Sequence, residues 1–145
     1  MSKDGFNLAE FLPYQLSVAS NAVSHRIARV YREEFGLKVT EWRVMAMLGD
    51  AGEQTQRELT ARTLMDKVAV NRACKSLEQR ELVRRVPNRN DGRSHHLDLT
   101  DAGRAMYDAI VPRAKHAERD LLALMTQDQQ LVFRDLLRRM RDHAI

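Results

Sequence analysis

The sequence predicts a mostly α-helical fold carrying one small β-hairpin, and three observations predict it. Long amphipathic stripes occupy both ends of the chain, and two short capped segments joined by a tight turn lie between them. An Asn/Asp/Gly-rich turn then separates two strand-like runs. The 145 residues fit one domain with helical extensions, and 43% hydrophobic content is enough for a buried core. No apolar run approaches the ~18 residues of a membrane span, and Met1-Ser2-Lys3-Asp4 has no apolar stretch of signal-peptide type. The single cysteine, Cys74, cannot form a disulfide within the chain. These features predict a cytoplasmic protein with no membrane partner.

The first helix is expected from Leu8 to Phe35, where Leu12, Leu16, Ala19, Val23, Ile27 and Val30 recur at spacings of three and four. Gly36 supplies its stop. Thr40 can cap a short second helix with Trp42, Met45 and Leu48 inward, ended by Gly49 and Gly52. Thr55-Gln56-Arg57-Glu58 is a capping box that opens a third helix reaching Leu64. Asp66 then caps a fourth, running to Arg80. Two helices joined this tightly, the second rich in Lys, Arg and Asn, match a helix-turn-helix. Leu82–Pro87 and Ser94–Leu99 read as strands around the turn Asn88-Arg89-Asn90-Asp91-Gly92-Arg93.

After Thr100 a long helix is expected, with Ala102, Met106, Ala109, Ile110, Ala114, Ala117, Leu121 and Leu124 on one face and a kink at Pro112. Thr126-Gln127-Asp128-Gln129 is a second capping box, opening a last helix with Phe133, Leu136, Leu137 and Met140 inward. The terminal stripes are too long for the central module to cover. A second copy of the chain would bury them across a twofold axis, while a monomer with a compact helical cap is the alternative. The organisation expected is one unit over 1–145, with dimerisation helices at 1–36 and 101–145 around a winged helix-turn-helix at 40–100.

Charge is concentrated in that centre. Thr55–Arg104 holds eleven Lys and Arg against seven Asp and Glu, and the remainder of the chain holds thirteen of each. Between Lys67 and Arg93 the balance is eight to three. A basic centre between neutral flanks suits a phosphate-facing surface. On the fourth helix, Val70, Ala73 and Leu77 form the inward stripe, and Val68, Asn71, Arg72 and Lys75 occupy the opposite arc. Asn can pair with adenine, Lys and Arg with guanine or phosphate, and Val with a thymine methyl. Lys67, in the first turn, is placed to meet a phosphate. Arg89 and Arg93 flank a turn projecting into solvent, where an Arg can enter a narrow minor groove. Asp91 can orient Arg93 through a charge-assisted hydrogen bond, or serve as a plain turn former. For the helix, an ordinary solvated face is the competing reading.

The segment Asp91-Gly92-Arg93-Ser94-His95-His96-Leu97-Asp98-Leu99-Thr100-Asp101-Ala102-Gly103 fits D-x-R-x5-L-T-x-x-G, which resembles the wing signature of the MarR family. Five fixed positions match by chance on the order of one start in a million. The order Trp42-Arg43-Val44, Thr55-Gln56-Arg57-Glu58-Leu59, Asn71-Arg72, Leu77-Glu78, Leu82-Val83 is also similar to that family. The resemblance implies a triangular homodimer of winged-helix subunits, joined by the first and last two helices, whose fourth helix enters the major groove of an inverted-repeat operator. It implies that Arg93 is the minor-groove arginine and Asp91 its partner, and that Asn71-Arg72 replaces the family's common Thr-Arg or Ser-Arg pair. It further implies a transcriptional repressor released by a small aromatic or phenolic effector. His25, Arg29, Trp42 and Met45 are candidates to line the effector's space, against ordinary core or surface roles for each.

The chain departs from the family pattern in places. Glu81 stands where a Gly usually precedes Leu-Val, so the fourth helix is expected to end without the αL glycine. The first helix lacks the reactive Cys of the family's peroxide sensors. Cys74 lies on the rim of the buried stripe and reads as an inert thiol. The N-terminal extension and helix-one Trp of urate-responsive members are absent.

An enzyme is the main competing class. The histidines His25, His95, His96, His116 and His143 form no H-E-x-x-H, and there is no C-x-x-C, G-x-S-x-G or phosphate-cradling glycine loop. Adjacent His95 and His96 point to opposite faces of a strand and cannot chelate one metal locally. No catalytic residue, metal site or cofactor is therefore expected. A metal- or redox-responsive regulator and a ligand-independent DNA-binding protein are the alternatives to effector-released repression.

Overall fold

The structure is a computed structural model that describes residues 5–87 and 95–145. A single 3-10 turn, Leu8–Glu10, precedes α1 (Leu12–Phe35), so the first helix begins with its stripe at Leu12 and not at the expected Leu8. Pro13 explains the break, because it has no N–H to offer the Ala9 carbonyl and its ring clashes with it. The Gln15 side chain donates to that carbonyl instead, at 3.0 Å. Gly36 ends α1 with φ 64°. Next, α2 (Val39–Ala51) starts one residue before the expected Thr40 cap, with Lys38 at the N-cap and its N–H held by Glu41 Oε1 at 2.8 Å.

The expected stop at Gly49 is corrected as well. Gly49 lies inside α2, where a Cβ would come within 2.4 Å of the Tyr107 ring. It permits close helix packing, and the chain leaves the helix only at Gly52, φ 81°. A two-residue strand that the sequence pattern does not reveal, β1 (Gln54–Thr55), leads directly into α3 (Gln56–Thr63). The hydroxyl half of the predicted cap forms, Thr55 Oγ1 accepting from Glu58 N at 3.1 Å. Leu64 makes the turn with φ 58°, and Asp66 caps α4 (Lys67–Gln79) by accepting from Ala69 N at 2.8 Å.

β2 (Val83–Pro87) and β3 (His95–Leu99) pair antiparallel, with Val83 opposite Leu99 and Pro87 opposite His95. β1 adds to the other edge of β3, giving the order β1-β3-β2. Thr100 caps α5 (Asp101–Leu122), which runs through Pro112, and Thr126 opens α6 (Gln127–Ala144) with both halves of its capping box formed. The fold is the expected one, helical with a small sheet and a winged helix-turn-helix at its centre. The buried core gathers Leu37 of the α1–α2 loop with Val44, Met45, Leu48, Leu59, Val70, Leu77, Leu97 and Ile110 from α2, α3, α4, the sheet and α5. No helix among the described residues is long and apolar enough to cross a membrane.

Outside this core the terminal helices leave apolar side chains in solvent. Leu12, Leu16 and Val23 of α1 are exposed. So are Phe133, Leu136, Leu137 and Met140 of α6, for which the periodicity predicts an inward face. Their face is real, but no segment among the described residues covers it.

The end of α4 is closed without a glycine, as expected. Leu82 N donates to Leu77 O and Glu81 N to Glu78 O, which is a complete Schellman closure, and Glu81 takes the left-handed position with φ 58°. A non-glycine residue there carries a steric cost of roughly 1–2 kcal/mol. Glu81→Gly should therefore raise stability by about 0.5–1 kcal/mol once the extra freedom of the unfolded glycine is subtracted. Gly103→Ala should act oppositely, since its Cβ would lie 2.0 Å from the Leu82 carbonyl oxygen, a backbone atom tied to Thr100 N. A loss of about 2 kcal/mol or more is expected. Urea unfolding of both variants measures the two signs.

Candidate nucleic-acid interface

The inner face of α4 is anchored by burial. Val70, Ala73, Cys74 and Leu77 are at most 3% exposed, so Cys74 belongs to the core and not to its rim. Polar ties fix the helix as well. Ser76 Oγ donates to Glu41 Oε2 of α2 at 2.7 Å. The Arg80 guanidinium donates to Gly36 O and Phe35 O at 3.1 and 3.0 Å, gripping the carbonyls at the end of α1. Arg85 Nε of β2 donates to Glu78 Oε1 at 2.7 Å.

With its inner face held, α4 turns Lys67, Val68, Arg72 and Lys75 to solvent and leaves Asn71 half-buried. These five join Gln56, Arg57, Thr60 and Ala61 of α3 around an open groove of about 830 Å³. Sequence reasoning finds the α4 side and misses the α3 side, because Gln56 and Arg57 read only as parts of a cap. Their position was legible from the helix-turn-helix itself, since the first helix of such a pair crosses beside the second. Gln56 Nε2 donates to Asn71 Oδ1 at 3.3 Å across the groove floor. Arg84 on β2 is exposed, 3.8 Å from Asp98 of β3. Arg89, Asp91 and Arg93 lie outside the described residues.

The four effector candidates are not brought together within one chain. Met45 is fully buried in the core. Trp42 is stacked between Tyr31 and Tyr107, ring centroids 5.5 and 6.1 Å away. His25 and Arg29 are exposed and line a groove of about 490 Å³ with Arg26 and Arg32, which Trp42 and Met45 do not border. Among the described residues no cluster of His, Cys, Asp and Glu is placed to hold a metal ion.

This arrangement, a buried helix-turn-helix with a basic outward face and a three-stranded wing sheet, defines a winged helix-turn-helix protein. The sequence model of the MarR family matches residues 35–94, under half of the chain, and over that part the chain resembles the family's transcriptional regulators. It is similar to the transcriptional repressor NicR of Pseudomonas putida, 30% identical over 98 residues that span 68% of this chain and 62% of that protein. The match thus takes in under two thirds of that relative's length. The fold is similar to a MarR/EmrR family regulator from Acinetobacter sp. ADP1, with a TM-score of 0.85 at 24% identity, covering 96% of this chain and 98% of that one. It is also similar to Bordetella bronchiseptica BpsR, whose DNA binding is regulated by 6-hydroxynicotinic acid. There the TM-score is 0.84 at 21% identity, over 94% and 97% of the two chains.

Burial pushes the Cys74 thiol above its ordinary value of 9.0, against a smaller opposing effect of its hydrogen bond with Gln56. The folded state therefore disfavours the thiolate. Stability is intact below the ordinary thiol value and is lost as pH rises from there through the folded value, because the unfolded chain ionises first. Urea titrations from about pH 8 to about pH 10 should show that decline, and Cys74→Ala should flatten it. A thiol reagent should modify Cys74 far more slowly in the folded protein than in urea.

Proposed function

We propose that the protein is a homodimeric repressor that binds an inverted-repeat operator in duplex DNA and is released by a small aromatic acid. One observation carries the DNA reading: α4 is locked by its inner face while Val68, Asn71, Arg72 and Lys75 line the open groove beside α3. Those side chains suit base edges and phosphates of a major groove. Lys67 and Arg57 flank the groove and suit phosphates. In this reading Arg93 enters the adjacent minor groove with Asp91 orienting it, and Arg89 adds phosphate attraction.

The dimer rests on the uncovered apolar faces of α1 and α6, which a second copy would bury. Half-sites would then lie about one helical turn, roughly 34 Å, apart. The effector class rests on the likeness to BpsR, regulated by a hydroxylated aromatic acid. Because the four candidates are dispersed in one chain, an effector site here would need the dimer to complete it, with cationic Arg26, Arg29 and Arg32 supplying the attraction for a carboxylate.

Footprinting of the DNA upstream of its own gene, repeated with a panel of aromatic acids, tests the whole reading. A protected inverted repeat, released by one or more acids, is the expected result. Protection that no acid changes would leave a constitutive DNA-binding role. Arg72→Ala and Lys75→Ala should each lower the salt dependence of binding by about one unit for every phosphate left without its cation. Arg93→Ala should cost about 1–3 kcal/mol of operator affinity without unfolding the chain. Full operator affinity in folded Arg93→Ala would remove the hairpin from the interface. Sedimentation should give a dimer at micromolar concentration, and a monomer would sink the paired-half-site arrangement.

A further inference from the structure

The floor of the α3–α4 groove contains one side-chain hydrogen bond, from Gln56 to Asn71, and its direction has a chemical consequence. Gln56 is the first residue of α3, directly after Thr55, which is paired with His96 in the sheet. Its backbone is fixed from both sides, since Thr60 Oγ1 donates to the Gln56 carbonyl at 2.7 Å. The hydrogen bond to Asn71 places the Gln56 NH2 group toward α4.

An amide facing another amide in this way must meet oxygen. Asn71 Oδ1 is therefore turned back toward Gln56, at 3.3 Å from Nε2. The two polar atoms of a planar amide diverge by about 120°, so turning Oδ1 inward turns the Asn71 NH2 away from Gln56. That NH2 group has no protein partner among the described residues. Adenine recognition by asparagine needs the opposite balance, with Oδ1 accepting from N6–H while Nδ2 donates to N7. Guanine presents two acceptors, O6 and N7, and thymine presents O4.

We infer that Gln56 is a positioning residue that sets the Asn71 amide with its donors facing the groove, so that this position of the operator is read by donation, favouring guanine (O6 and N7) or thymine (O4) over adenine, whose N7 acceptor stands beside an N6–H donor that the inward-turned Oδ1 cannot accept. The inference rests on the DNA-binding reading proposed above and adds to it the base class read and the residue outside α4 that selects it. Gln56→Glu reverses the polarity. A carboxylate can only accept, so it takes a hydrogen bond from Asn71 Nδ2, and Asn71 Oδ1 then faces the groove to accept from adenine N6 or cytosine N4.

Selection from a randomised duplex library, read by sequencing, tests this with wild type, Gln56→Ala, Gln56→Glu and Asn71→Ala, each checked for folding by thermal melting. Wild type should prefer guanine or thymine at one position of each half-site by about tenfold or more, and Asn71→Ala should lose that preference. Gln56→Ala should blur the same position while leaving the base preferences at the other positions of the half-site in place. Gln56→Glu, close to the native side chain in shape, should bind all DNA more weakly because of its charge and shift the preferred base to adenine or cytosine. In the free protein, the Asn71 side-chain amide resonances should move in Gln56→Ala. An unchanged base preference in folded Gln56→Ala or Gln56→Glu overturns this inference alone. Wild-type protein that enriches no duplex overturns the DNA-binding reading together with it.

Discussion

The rotation of α4 about its own axis is the constraint on which the rest of the structure depends, and Glu41 is central to setting it. This carboxylate is 3% exposed, yet both oxygens are satisfied. One takes the Lys38 N–H that starts α2, and the other takes the Ser76 hydroxyl from the outer half of α4. A buried acid left without partners would be costly, so Glu41 holds α2 and α4 in one relative orientation. Val70, Ala73, Cys74 and Leu77 then fill the core behind that contact. At 100° per residue a slip of one position would carry Asn71 into the core and expose Val70. The outward face is thus a consequence of what is held inside.

That dependence explains which parts of the fold were legible in the sequence. The α4 faces followed from periodicity alone, because a stripe of apolar residues can satisfy itself in only one direction. Caps such as Thr55, Asp66 and Thr126 were legible because hydroxyl and carboxylate side chains can satisfy the free amides beside them, whereas Thr40 lies inside α2, whose cap is Lys38. Contacts distant in sequence were not. Nothing local distinguishes Gly49 as a packing residue from a helix stop, and only Tyr107, from α5, decides it. Two residues of β1 are too few to show alternation, and they become a strand by pairing with β3. Gln56 reads as the second position of a cap until α4 is placed beside it. The apolar stripe places the start of α1 correctly at Leu12, and the expected extension back to Leu8 fails for a local reason, Pro13.

The ends of the chain follow different physics from its centre. The central elements close a core in which large side chains such as Leu37, Leu48 and Leu59 are fully buried, whereas α6 contributes no buried residue at all. Its formation as a helix is locally supported by the Thr126–Gln129 capping box and by ion pairs such as Arg138–Asp135. Exposed pairs of this kind add only fractions of a kcal/mol, and an isolated amphipathic helix of 18 residues is marginal in water. The apolar stripe of α6 therefore has an energetic reason to be covered, and the exposed apolar residues of α1 have the same need.

The junction between the terminal helices and the centre is polar on one side and aromatic on the other. Arg80, at the end of α4, grips the last carbonyls of α1, and the Tyr31–Trp42–Tyr107 stack joins α1, α2 and α5. Arg113 of α5 adds a third tie, paired with Glu34 and lying over the Phe35 ring. All three meet near the C-terminal end of α1, so that end cannot shift relative to α5 or α4 without breaking hydrogen bonds or unstacking rings. A molecule bound among the terminal helices can alter the DNA-facing groove only if it binds one arrangement of these ties better than another. The strength of any such coupling is bounded by that difference in affinity. Met45, fully buried on α2 about one turn from Trp42, belongs to the core cluster against which Trp42 and Tyr107 pack. A displacement of α1 that kept these ties would carry α2 with it, and the Glu41–Ser76 hydrogen bond links α2 to α4.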